Sequence, residues 1–159
     1  MKELELAIDL KKHGDLKQAS DILNNLVQKY PNNSIINYHC ACTFDSMGLE
    51  NQAVPYYEKA IEIGLPDEEL QGAFLGLGST FRTLGEYEKS KKVFEYGLIR
   101  FQDNYAIKTF YAMTLYNLGE HSKAMEILLT SLAETASDEN VKRYKRAISF
   151  YADKLDQVW

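Results

Sequence analysis

No run of apolar residues in this 159-residue chain approaches the length that crosses a bilayer, about 20 residues for a helix, so no membrane is expected among its partners. Basic charge is short as well. Eighteen Lys and Arg stand against 23 Asp and Glu, a net charge of -5, whereas a phosphate backbone requires a basic face; nucleic acid is excluded as the expected partner. Cysteine is scarce. Cys40 and Cys42 lie two apart on one predicted helix, where side chains point to nearly opposite faces and a mutual disulfide is geometrically poor. Reduced thiols fit the cytoplasm. The opening Met1-Lys2-Glu3-Leu4-Glu5-Leu6 alternates charge and leucine as an amphipathic helix does, without the unbroken apolar core of a secretion signal. A cytoplasmic protein is expected.

Catalytic equipment is also missing. None of His13, His39 and His121 stands in a recognisable order with a nucleophile. His39-Cys40-Ala41-Cys42 suggests a metal motif, but helical ligands recur at i,i+3 or i,i+4 and zinc motifs need a second pair that is absent. Gly72, Gly76 and Gly78 fall inside a predicted helix, not between a strand and a helix as a phosphate-cradling loop requires. The expectation is a protein that is not an enzyme, with no cofactor and no metal.

What the chain does have is a period. Gly14, Gly48, Gly85 and Gly119 follow one another at 34, 37 and 34 residues. Seven residues before each stands a small residue (Ala7, Ala41, Gly78, Ala112), and four before it a bulky one (Leu10, Phe44, Phe81, Leu115). Five after each is small again (Ala19, Ala53, Ser90, Ala124); nine after come Leu23, Tyr57, Phe94 and Leu128, and thirteen after Val27, Ile61, Leu98 and Leu132. Apolar residues at helical spacing on both sides of a glycine predict helix, tight turn, helix, with the small residues letting two backbones approach. Neither helix buries its stripe alone, so the hairpins must stack.

Three local features modify the pattern. Leu65-Pro66-Asp67-Glu68-Glu69 reads as a helix start, with proline in the first turn and three acids at the positive dipole end, and predicts that the third repeat's first helix is about one turn longer than its siblings. Pro55 conflicts with a helix interior, which predicts a start nearer Asn51 than in the other repeats. After Ser137-Asp138, good N-cap residues, one capping helix of about 139–157 is expected. Val141, Tyr144, Ala147, Ile148, Tyr151, Leu155 and Val158 form its inner arc, with Lys142, Lys145, Arg146, Ser149 and Asp153 opposite.

These residues resemble the tetratricopeptide repeat family. The likeness covers about residues 1–138 and is strongest at Leu77, Gly78, Phe81, Leu84, Gly85, Tyr87, Ser90 and Phe94, which follow the family's L-G, aromatic, G-x-Y, A, aromatic order. Its early Trp is replaced by Glu3, Asn37, Phe74 and Lys108, and its closing Pro is kept only at Pro31. The resemblance implies an all-α, right-handed superhelical solenoid of four helix-turn-helix repeats, about 1–33, 34–67, 68–104 and 105–138, plus the capping helix, in a single domain.

It also implies function. The family's concave groove, lined by the first helix of each repeat, holds peptides or helices of partner proteins. The corresponding positions here are Leu4, Ile8, Lys11 and Lys12; Tyr38, Cys42, Asp45 and Ser46; Leu75, Ser79, Arg82 and Thr83; then Thr109, Met113, Tyr116 and Asn117. Leu4, Ile8 and Leu75 have core packing between repeats as their alternative role. Leu4 and Ile8 stand where some members place the Lys and Asn of a carboxylate clamp, so a chaperone-tail clamp is not implied. The leading expectation is a non-catalytic adaptor or scaffold. The alternatives are a self-assembling homodimer, through Phe150, Tyr151 and Trp159 or the shared face of Gly72 and Gly76, and a peptide-sensing regulator. For the glycine pair, a frayed first turn plus drift at an exposed site is the competing explanation.

Overall fold

The computed structural model describes residues 1–159 and is all-α, with no strand. Ten helices follow in order: α1 (Lys2–Lys12), α2 (Leu16–Lys29), α3 (Ser34–Ser46), α4 (Glu50–Ile63), α5 (Asp67–Thr83), α6 (Tyr87–Arg100), α7 (Tyr105–Asn117), α8 (His121–Thr135), α9 (Glu139–Arg143) and α10 (Lys145–Tyr151). They divide into two compact units, Met1–Glu86 and Tyr87–Trp159. The boundary therefore falls inside the third repeat, between its two helices.

Each repeat turn is built the same way. At the second, Gly48 takes φ 70°, and the next residue's N–H, that of Leu49, donates to the carbonyl of Phe44 at 2.9 Å. The same six-residue closure joins Asp15 to Leu10, Glu86 to Phe81 and Glu120 to Leu115, each at 2.9 Å. A left-handed residue that folds the chain back onto the last helical turn is the Schellman arrangement, and glycine occupies it without a Cβ penalty. The following helix then starts two residues past the glycine in every repeat. The small residues of the pattern are buried on both sides of the turn, Ala7, Ala19, Ala41, Ala53 and Ser90 completely.

Within the first unit α1 packs on α2, α2 on α3, α3 on α4 and α4 on α5, while α1 also touches α3 and α3 touches α5. Its core contains Leu23, Leu26, Ile36, Cys40 and Tyr57. In the second unit α6 packs on α7, α7 on α8, and α10 on both α8 and α9, around Phe94, Ile107 and Leu115. Asn33 and Asn104 cap the helices after them, accepting from the backbone N–H of Ile36 at 3.1 Å and of Ile107 at 2.9 Å. Asn37, at a position where the family carries Trp, is buried and donates to the carbonyls of Pro31 and Asn33 at 3.1 and 2.8 Å. It ties down the first inter-repeat loop by hydrogen bonds where an indole would do so by bulk.

Several expectations meet their outcome here. α5 is 17 residues long, against 13 in α3 and α7, and starts at Asp67 with Pro66 as N-cap and the three acids in its first turn. α4, however, begins at Glu50 in the same register as its counterparts, so Pro55 lies in its second turn, on an exposed side. The capping helix differs most. It breaks at Tyr144 (φ -101°, ψ 11°) and ends at Tyr151, so a continuous helix over 139–157 is replaced by α9, α10 and a turn. Asp138 keeps its expected part, accepting from Asn140 and Val141 N–H at 3.0 Å, and Lys142, Lys145, Arg146, Ser149 and Asp153 are exposed as expected.

Gly72 and Gly76 have a reason inside the first unit. A Cβ at Gly72 would run into the Tyr38 hydroxyl, and one at Gly76 into the Tyr57 ring, whose Cε1 would lie at 2.8 Å. Two tyrosines, from α3 and α4, thus lie directly on the backbone of α5. The close approach that the glycines permit is made by the chain's own rings, which replaces both the fraying explanation and the role of this pair as a self-association face. Alanine favours a helix interior by about 1 kcal/mol over glycine, but overpacking a filled site costs about 1–3 kcal/mol. Gly76→Ala is therefore expected to destabilise, because Tyr57 is 2% exposed and cannot withdraw. Gly72→Ala should cost less, since only the outer end of half-buried Tyr38 must swing aside. Urea unfolding of both variants checks the order, and equal losses would contradict it.

Candidate functional site

In the first unit the helices that open each repeat, α1, α3 and α5, lie side by side. Lys11, Tyr38, Cys42, Asp45, Ser79 and Arg82 on these helices are all partly exposed, as are Leu4, Ile8 and Leu75, whereas Lys12, Ser46 and Thr83 are open to solvent. In the second unit α7 carries Thr109, partly exposed, and Met113, Tyr116 and Asn117, exposed. Tyr116 is 62% exposed and stacks on His121 at 4.7 Å between ring centroids, with 18° between the planes.

A polar cluster organises the α3 strip. The Tyr57 hydroxyl reaches from α4 to Asp45 Oδ2 at 3.3 Å and to Cys42 Sγ at 3.6 Å. A phenol has one proton to give, and a carboxylate is the stronger acceptor. Burial pushes the Asp45 carboxyl up from its ordinary value and Glu50 adds to this, while the hydroxyls of Thr80 and Tyr57 pull it back. Thr80 is completely buried; its hydroxyl faces the carboxylate without closing a well-formed hydrogen bond. Burial likewise raises the Tyr38 and Tyr57 phenols, with Cys42 the next cause in each case. The two rings meet at 6.4 Å. Neither Tyr57 nor Thr80 belongs to the first-helix positions inferred from the family pattern. The signal that could have found Tyr57 is the glycine pair on α5, whose missing side chains leave room for a ring.

The cluster offers fixed hydrogen-bonding groups rather than a reacting pair. No group of three or more His, Cys, Asp or Glu side chains converges on a point that could hold a metal. Cys40 is buried and Cys42 partly so, both free, and burial pushes the Cys40 thiol up, away from the thiolate form. No helix is long and apolar enough to cross a membrane.

Models of two tetratricopeptide repeat families match, one over residues 34–155 and the other over residues 4–33. The chain belongs to the tetratricopeptide repeat family. No curated protein matches it. Among solved structures, this repeat protein is similar to YrrB, described as a TPR protein with an unusual peptide-binding site, at 15% identity over 99% of this chain and 78% of that one, with a TM-score of 0.74. It is also similar to MamA from AMB-1, at 19% identity over 81% of this chain and 75% of that one, TM-score 0.73. At such identities the likeness carries the fold, an all-α solenoid of helical hairpins.

His39, beside Tyr38 at 5.2 Å between rings, gives the repeat protein a pH dependence. Burial lowers its pKa from the ordinary 6.5 to about 4, helped by the charge of Lys11, and its Nδ1 is buried without a partner. Between those two values the unfolded chain takes up a proton that the folded chain refuses, so stability falls as pH is lowered through this window. His39→Gln should flatten that fall. Thermal unfolding from neutrality down to about pH 5 measures it, and a variant with the wild-type slope would contradict the assignment.

Proposed function

We propose that this chain is a non-catalytic adaptor of the cytoplasm that holds a segment of a partner protein against the faces of its first helices. The observation that carries this reading is the α1, α3, α5 face of the first unit, where partly exposed aromatic, charged and small polar side chains stand on a rigid packed support. Tyr and Arg are the usual anchors of such surfaces. In this reading Arg82 is the principal anchor on the first unit, where Tyr38 and Cys42 shape the floor, Lys11 and Ser79 add contacts, and Asp45 offers its remaining lone pairs to backbone N–H groups of the guest. On the second unit the anchor is Tyr116, with Thr109, Met113 and Asn117 on the same helix, α7. In this reading the same surface serves binding, with its donors and acceptors held in fixed positions. A peptide-sensing regulator would use the same residues.

Self-association through Phe150, Tyr151 and Trp159 is the competing reading, favoured by the exposure of all three rings. A two-fold contact sets each patch against its own copy, and this one would bring Arg143 and Arg146 of two copies together. Like charges across an interface cost binding energy, which favours the hetero-partner reading.

Affinity capture with the wild-type chain and with an Arg82→Glu, Tyr116→Ala variant tests the adaptor function. The variant should lose its partners by about tenfold in affinity, corresponding to about 1.4 kcal/mol. Equal recovery of the same proteins would overturn it.

A further inference from the structure

The last 21 residues have a charge unlike the rest of the chain. Positions 139–159 carry five Lys and Arg against three Asp and Glu, while positions 1–138 carry 13 against 20. Three of the five cations are already engaged: Lys142 with Glu139 at 3.2 Å, Lys145 with Glu134 at 3.5 Å, and Lys154 with Asp153 at 2.5 Å. Arg143 and Arg146 are exposed and have no carboxylate in ion-pair reach. They flank an open groove of about 440 Å³ whose other lining residues are Tyr144, Ala147, Phe150 and Tyr151. The three rings are each about half exposed. Phe150 meets Tyr151 edge-on at 5.1 Å and Trp159 at 6.0 Å, and Lys154 Nζ sits over the Phe150 ring at 4.7 Å.

We propose that this groove of the second unit docks an acidic segment of another protein that carries an aromatic or leucine side chain between its carboxylates. Two unpaired guanidiniums present forked donors that match carboxylates, and the aromatic floor between them takes an apolar anchor of the kind that dominates binding energy. Continuous polyanions fit less well. Glu134, Glu139 and Asp153 neutralise the three lysines, so a phosphate backbone or an anionic lipid surface would meet carboxylates as often as free cations. A short peptide needs only the two arginines. This site is independent of the first-helix faces proposed above.

Trp159 is the only tryptophan, and it reports on the site without a label. The probe is a short peptide of Glu and Asp residues with one central Phe; the control replaces its acids by Lys. The acidic peptide should shift Trp159 emission saturably, bind more weakly as salt is added, and lose about tenfold in affinity with Arg143→Gln, Arg146→Gln and again with Phe150→Ser. Circular dichroism should show unchanged helix in these variants, since all three positions are exposed. The Arg82→Glu, Tyr116→Ala variant should bind the peptide as wild type does, which separates this site from the adaptor reading. Absence of saturable binding, equal binding of the Lys control, or indifference to the arginine substitutions would overturn the proposal. So would tighter binding of single-stranded RNA or phosphatidylserine vesicles than of the peptide, or concentration-dependent self-association that the peptide fails to compete.

Discussion

Everything in this molecule depends on one hydrogen bond made four times. The backbone N–H after each turn glycine closes on the carbonyl of the bulky residue five positions earlier, Leu10, Phe44, Phe81 or Leu115. That bond satisfies a helix-terminal carbonyl that would otherwise be orphaned, and it sets the direction in which the next helix leaves. With the direction fixed, the small residues before and after the glycine are buried, and α1 packs on α2, α3 on α4 and α7 on α8. Residues that close the turn through their backbone also fill the hairpin with their side chains, so fold and register are specified together.

This is why the repeat pattern was legible from the chain alone. A positive-φ glycine and a size pattern at helical spacing are local statements, and local statements survive in a sequence. The longer α5 was legible for the same reason, since Pro66 and three acids announce a helix start by chemistry confined to one turn. Pro55 misled because the rule that places proline in a first turn concerns an unpaired N–H, whereas the closure at Gly48 fixes where α4 begins whichever residues come next in the chain. The proline is absorbed one turn later, on the solvent side.

The candidate site was legible only in part. Positions on the first helices follow from the period, but the groups that hold them in place do not. Tyr57 comes from a second helix and is seated by lying on Gly76, and Thr80 is buried behind Asp45. Such contacts join residues distant in sequence, and only the absence of side chains at Gly72 and Gly76 hinted at them. The consequence for recognition is rigidity. Tyr38 and Tyr57 rest on the backbone of α5, so in the proposed adaptor the polar groups of α3 would meet a partner already positioned, with little conformational entropy to lose at that point.

The end of the chain shows the opposite case, where a periodic pattern is present and is not obeyed. A helical wheel assumes an unbroken helix, and the turn at Tyr144 rotates everything after it. Of the arc meant to cover the last repeat, Val141 and Ile148 are half-buried, while Tyr144, Ala147, Tyr151, Leu155 and Val158 are exposed; the fully covered residue is Ala152, beyond α10. Leu128 and Leu132, the repeat positions that this arc should have sealed, consequently remain 36% and 45% exposed. Arg143, Arg146 and Ala147, Phe150 and Tyr151, spaced at three and four as residues of one helical face are, line the open groove at this end of the chain. Five- and seven-residue helices have little stability of their own, so α10 persists through its docking on α8, and α9 through its packing on α10 and the Asp138 cap. A segment held in that way can present a basic, aromatic edge without contributing much to the core, which leaves its outward residues free to be chosen for what they bind.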